Sequence, residues 1–262
     1  MNLGLQGKVA IVTGSSDGIG YATAHPLAQE GVRVVLCARR ESLLVEARDT
    51  IAKETGADLL AVPCDVQQLP DVQRLVTAIM QRFGTIHILV NNAGSVPPHE
   101  FIDVDDAKWH QMLEGKLLNY IRVTREVVPY MQKAGWGRII SMAGTAGWEP
   151  SNSAMAIGLS NAAVINWTKS MSLQYAADAI LVTTVAAGSV ETPRQVRNRQ
   201  READIRGLSL DELLKARARD IPLQRLGRPE EIAAVVVFLA SEQSSYMTGT
   251  CVTVDGGRTR GI

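Results

Sequence analysis

The sequence predicts an α/β fold, a doubly wound parallel sheet of about seven strands flanked by helices. Three observations carry that expectation. Short, continuously apolar runs recur along the chain, as in strands covered on both faces. Longer helical patterns alternate with them, which calls for parallel strands joined by right-handed crossovers. Hydrophobic residues make up 46% of the chain against 21% charged, enough to fill a large core. With no low-complexity linker and no internal repeat, the span 1–262 is expected to form a single domain.

The strands expected, in order, are KVAIVT (8–13), RVVLCA (33–38), LLAVPCDV (59–66), IHILVN (86–91), RIISM (138–142), ILVTTVA (180–186) and TCVTV (250–254). Helices are expected near 18–30, 41–55, 70–82, 106–133, 154–177 and 229–240. Pro26 falls inside the first helix, where it removes a hydrogen bond and predicts a kink. Residues 194–220 break the rhythm. They are polar, with eight basic side chains against five acidic, and carry one short helix at 209–219. A connection this long is expected to act as a substrate lid; a mobile loop or a solvated surface helix is the competing reading. Its basic excess points weakly to an anionic ligand.

Composition excludes several function classes. Lys plus Arg equals Asp plus Glu at 27 each, which gives no global case for nucleic acid or an acidic membrane as partner. Cys37, Cys64 and Cys251 lie far apart and form no metal-ligand spacing, so no metal is expected. Cys37 and Cys64 fall in or at the end of apolar strands and read as core thiols. The start MNLGLQGKVA has no apolar leader, and no run is long enough to span a bilayer. A cytoplasmic protein is expected.

The stretch TGSSDGIG (13–20) follows the first strand and opens the first helix. Gly14, Gly18 and Gly20 permit a tight turn and close approach of phosphates, and the helix N-terminus adds free N–H groups and a positive dipole end. Ser16, Asp17 and Ile19 belong to the same turn. A dinucleotide fold that prefers NAD places an acid at the end of the second strand. Here Arg39 and Arg40 stand there, suited to the extra 2′-phosphate, so NADP(H) is expected over NAD(H).

With TGSSDGIG, the stretches CDV (64–66), VNNAG (90–94), RLGRPEEIA (225–233) and TGTCVTVDGG (248–257) carry a resemblance to the classical short-chain dehydrogenase/reductase (SDR) family over nearly the whole chain. The resemblance implies a Rossmann fold of SDR type. It implies that Asp65 and Val66 hold the adenine, and that Asn91, Asn92, Ala93 and Gly94 line the nucleotide and brace the sheet. Val190 and Thr192 would meet the nicotinamide end. It also implies a homodimer or homotetramer paired through the helices at 106–133 and 154–177.

The family's proton-transfer machinery does not carry over. Its tyrosine falls on Ile157, its lysine on Asn161, its serine on Gly144 and its helical asparagine on Lys116. The usual Pro-Gly after the sixth strand becomes Ala187-Gly188. No tyrosine occurs from 131 to 174, so no slip of register restores the pair. A carbonyl that accepts hydride becomes an alkoxide and needs neutralising, and Ile157 and Gly144 cannot do that. Lys116 and Asn161 read as an exchange of residues between two helices. If they face one cavity, a desolvated Lys116 amine can serve as acid, base or imine-forming nucleophile; if not, it snorkels outward. Thr145 and Glu149 are further weak candidates. Ser153, Ser160, Ser95 and His99 read as loop or capping residues.

Three functions stay open. The favoured one is an atypical NADP(H)-dependent oxidoreductase acting on a small molecule of unknown identity. The second is a lyase or isomerase reusing the pocket through Lys116. The third is a non-catalytic NADP(H)-binding pseudoenzyme.

Overall fold

The computed structural model describes residues 2–94, 101–150 and 155–261. Seven strands form one parallel sheet in the order β3-β2-β1-β4-β5-β6-β7. They are β1 Val9–Thr13, β2 Arg33–Ala38, β3 Leu59–Pro63, β4 Ile88–Asn91, β5 Gly137–Gly144, β6 Ile180–Ala187 and β7 Cys251–Val254. Each lies within or beside a run expected from the sequence.

Alternation along β1 shows why both faces are apolar. Val9 and Ile11 join Val35, Leu89 and Ile139 on one face, while Ala10 and Val12 join Val34, Ile88 and Ile140 on the other. Helices cover both. On the first face lie α3 (Leu69–Phe83) and α5 (Asn119–Ala134); on the second lie α1 (Gly18–Gln29), α2 (Glu41–Thr55) and α9 (Pro229–Ala240). Fully buried anchors such as Ile11, Leu36 and Leu75 each contribute about 1.5–3 kcal/mol. Helix α1 continues past Pro26 to Gln29, so the helix absorbs one missing donor near its end.

Two expectations are corrected in detail. The helix expected over 106–133 runs unbroken to Ala134 but is not α-helical throughout: α4 (Asp106–Leu113) passes through a π turn at Glu114–Leu118 into α5. Arg122 clamps this turn, donating to both carboxylate oxygens of Glu114 at 3.0 Å. Lys116 sits at the turn's centre, where the extra residue re-aims the backbone. The second correction concerns 194–220, which holds two helices rather than one. Besides α8 (Leu210–Arg219), a helix α7 covers Pro193–Arg206. The long helix α6 (Met155–Tyr175) lies between β5 and β6 in the chain and packs on both.

Candidate active site

The strand order reverses between β1 and β4, and a cleft of about 860 Å³ opens at the carboxyl ends of the strands there. That is the place an open α/β sheet offers a ligand, and the volume suits one of dinucleotide size. Gly14 holds φ +68°, and a side chain on it would meet Ala93 Cα and Asn92 Nδ2 at 3.0 Å. A Cβ on Gly20 would fall 2.3 Å from the Gly14 carbonyl oxygen. Bare backbone at these two points lets the turn and helix α1 close together. Thr13 Oγ1 accepts from the N–H groups of Asn92 and Ala93 at 2.9 Å, and Asn92 Nδ2 donates to the Thr13 carbonyl at 2.8 Å. The glycine turn and the turn after β4 are thus one braced unit.

Of the residues expected to hold a nucleotide, Gly14, Ser16, Asp17, Gly18, Ile19, Arg39, Arg40, Asp65, Val66, Ala93, Gly94 and Thr192 line the cleft. Three expected liners do not. Gly20 lies beneath the turn against Gly14. Asn91 is fully buried and donates to Thr124 Oγ1 at 3.0 Å, acting as a brace inside the sheet. Val190 is buried and bridges to Gly227 behind the cleft. Arg40 donates to Asp17 at 2.9 Å, and Arg197 of α7 stands 4.0 Å from the same carboxylate.

The cleft wall also includes residues that the sequence reading passed over: Gly115, Asn119, Arg194 and Arg197, with Cys37 and Cys64. The two cysteines are core thiols as expected and still touch the cleft from beneath. Gly115 and Asn119 reach it through the π turn. Arg194 and Arg197 reach it because α7 lies across the opening, with Arg194 Nη1 donating to the Gly94 carbonyl at 3.1 Å. That contact gives the expected lid a physical attachment.

Two of the four replaced positions meet. A Cβ on Gly144 would stand 3.1 Å from Asn161 Nδ2, so the former serine and lysine positions face each other. Asn161 is buried, and its Oδ1 finds no donor among the described residues. Ile157 packs beside Met112, Ala156 and Trp109 in a small apolar cluster. Lys116 lies against Gly94, whose absent Cβ would be 3.5 Å from Lys116 Cα and Cγ. Its amine stands 6.0 Å from the ring centroid of Tyr120, and Tyr120 in turn donates to the Met142 carbonyl at 3.1 Å. Lys116 is half-buried, and burial, aided by the nearby Arg194 charge, lowers its pKa to about 8.

The other candidates take structural parts. Glu149 accepts from the backbone N–H of Arg260 and so ties the C-terminal segment to the turn after β5. The Thr145 carbonyl accepts from the N–H groups of Trp148 and Glu149 in a short helical turn. Ser160 donates to the Ala156 carbonyl within α6. Ser95, His99 and Ser153 lie outside the described residues.

A family model described as enoyl-(acyl carrier protein) reductase matches residues 14–259. The human dehydrogenase/reductase SDR family member 4 is 34% identical over 255 residues, covering 97% of this chain and 88% of its own. A 3-oxoacyl-(acyl-carrier-protein) reductase of Vibrio cholerae is 33% identical, with 97% of this chain and 98% of its own covered. Among solved structures, the L-sorbose reductase from Gluconobacter frateurii complexed with NADPH and L-sorbose superposes with a TM-score of 0.96. It is 32% identical, and the match covers 100% of both chains. Among the described residues, no helix is long and apolar enough to cross a membrane.

Proposed function

Because the chain belongs to the classical short-chain dehydrogenase/reductase family, we propose that it is an NADP(H)-dependent oxidoreductase that reduces a small carbonyl or enone by an altered proton path, with Lys116 as the acid. The cleft supports the cofactor half of this reading. Its glycine turn is bare where phosphates approach, and Arg39 and Arg40 flank the place for a 2′-phosphate. NADPH, when bound, supplies the hydride. The chain itself must orient the acceptor, exclude water and deliver a proton to the oxygen that gains charge.

The observation that carries the proposal is the placement of Lys116. The positions of Gly144, Ile157 and Asn161 hold no group able to release a proton, whereas the Lys116 stem packs against Gly94, a residue of the cleft wall, and its amine has a pKa of about 8. A group of that acidity is mostly protonated at neutral pH and gives its proton up readily, which matches a general acid working there. Asn161 keeps a buried carboxamide oxygen without a donor among the described residues, facing the Gly144 position.

NADPH consumption with a panel of ketones, enones and quinones tests this reading. At least one acceptor is expected to exceed background, and Lys116→Met is expected to lower kcat/KM by 10²–10⁴-fold, the usual worth of a positioned acid. In wild type, reduction should fall as pH rises through about 8, as the ammonium form disappears. Tight NADPH binding without any turnover would remove the proposal and leave a nucleotide-binding pseudoenzyme. The lowered pKa also favours a second reading, a lyase or isomerase in which the free amine attacks a carbonyl. Borohydride trapping of a substrate adduct on Lys116, by mass, separates the two.

A further inference from the structure

Arg194 and Lys116 both contact Gly94. The guanidinium donates to the Gly94 carbonyl at 3.1 Å from the lid, while the Lys116 stem packs where a Gly94 side chain would stand. The two cations lie close enough for the charge of one to disfavour the other. Four other lid arginines are engaged: Arg197 faces Asp17, and Arg199, Arg206 and Arg217 share Glu202, whereas Arg201 and Arg219 make no ion pair among the described residues. Among the described residues, neither Lys116 nor Arg194 has a carboxylate partner, and Arg194 spends one donor on a neutral carbonyl. Two cations within reach of each other's charge, with no carboxylate partner among the described residues, favour an anion beside the Arg194 donors.

We propose that Arg194 and Lys116 bracket a carboxylate of the substrate, so that the acceptor is a small oxo acid rather than a neutral ketone. The inference rests on the oxidoreductase reading above and names its substrate class. Arg194 anchors one carboxylate oxygen through its remaining N–H donors. The bound anion also offsets the repulsion between the two cations, so Lys116 holds its proton more firmly while the substrate is in place. Arg194 lies exposed on the lid helix, so an acid that it binds rewards closure of the lid, and a neutral ligand does not.

The dinucleotide's pyrophosphate is the other anion that a guanidinium here can meet, and the test separates the two sources. Enzyme saturated with NADP⁺ is titrated calorimetrically with 2-oxobutanoate, with 3-oxobutanoate and with the amide of each. At least one acid is expected to bind at least tenfold more tightly than its amide. Arg194→Met is expected to erase that ratio while changing the Kd for NADP⁺ by less than threefold. Equal binding of acids and amides, or no binding of either, overturns the proposal. So does an Arg194→Met variant that keeps the ratio but binds NADP⁺ tenfold more weakly, because the guanidinium then serves the pyrophosphate. NADPH turnover is followed with the same four probes and a neutral ketone. Acids that bind but leave NADPH unoxidised preserve the anion site and remove the oxidoreductase reading. A neutral ketone that is turned over as well as any acid preserves that reading and removes the carboxylate.

Discussion

At the residue scale, Lys116 carries both the chemistry and a stability cost. Its pKa falls from 10.5 to about 8, first through burial and then through Arg194. Between those two values the unfolded chain binds more protons than the folded one, so this group's contribution to stability rises with pH across that window. Below about 8 both states are charged and the full cost of burying the ammonium is present. Lys116→Met is therefore expected to raise the melting temperature at pH 7 by about 3–6 °C, from a gain of about 1–2 kcal/mol. The gain should fade between pH 8 and 10.5, and scanning calorimetry across that range checks it. Asp17 makes a second residue-scale case. Its carboxylate holds Arg40 and faces Arg197 inside the cleft that must take phosphates. Asp17→Asn frees both cations and removes a like charge, so NADPH should bind about two- to fivefold more tightly, an exposed-pair effect of about 0.5–1 kcal/mol. Fluorescence titration at low and high salt reads it, and the gain should shrink at high salt. The sequence revealed Lys116 because a family position fixed where to look. It could not reveal Asn161 facing Gly144, because residues so far apart meet only through packing of α6 on β5.

At the element scale, the lid was half legible. Helix α8 announces itself with a Ser209–Glu212 capping box, and the sequence reading placed it within a residue. Helix α7 has no apolar stripe to find. Its run of arginines and glutamines reads as loop, and it is stable because side chains cross-link it. The available signals were Thr192 as N-cap, Pro193 at the first turn and Gly207 at the end, all of which the structure uses. The π turn left no comparable sign, since one extra residue in a helical pattern does not change its composition. Glu202 is the lid's main link. Burial raises its pKa, but bonds from Arg199 and Arg217 outweigh this and hold the carboxyl below its usual range, and Arg206 adds a third cation. Glu202→Gln should therefore loosen α7 from α8. The expected result is faster hydrogen exchange confined to residues 193–219, with the melting temperature changed by less than about 2 °C, because the lid is small and polar beside the core. Protection of the sheet helices should stay unchanged.

At the scale of the whole molecule, the sheet was the most legible feature. Short continuous apolar runs bounded by turn signals fit strands covered on both faces, and their alternation with helices points to the parallel, doubly wound topology. What those runs do not settle is the outer surface of α6. The helix buries Ala156, Gly158, Ser160, Asn161, Val164, Thr168 and Ser172 on its inner side. Its outer side is mixed: Met155, Leu159 and Leu173 are exposed, Leu173 by 74%, beside Asn166, Lys169 and Ser170. Spacing keeps the three apolar residues on one face with Ala162, where exposed Asn166, Lys169 and Ser170 interrupt them, and Leu118 at the end of the π turn is exposed as well. Exposed apolar residues on one face of a chain with no net charge favour self-association. Two copies meeting through α6 about a twofold axis would bury each leucine against its counterpart and satisfy the closure of an isologous contact. Light scattering with size-exclusion chromatography is expected to give a dimer or tetramer for the wild-type chain. The double variant Leu159→Glu, Leu173→Glu places like charges across that axis and should elute as a monomer with its far-ultraviolet circular dichroism unchanged, since neither side chain belongs to the core. If the variant keeps the wild-type mass, the outer side of α6 is not the contact, and the remaining exposed apolar residues, led by Tyr246 beyond α9, become the face to test.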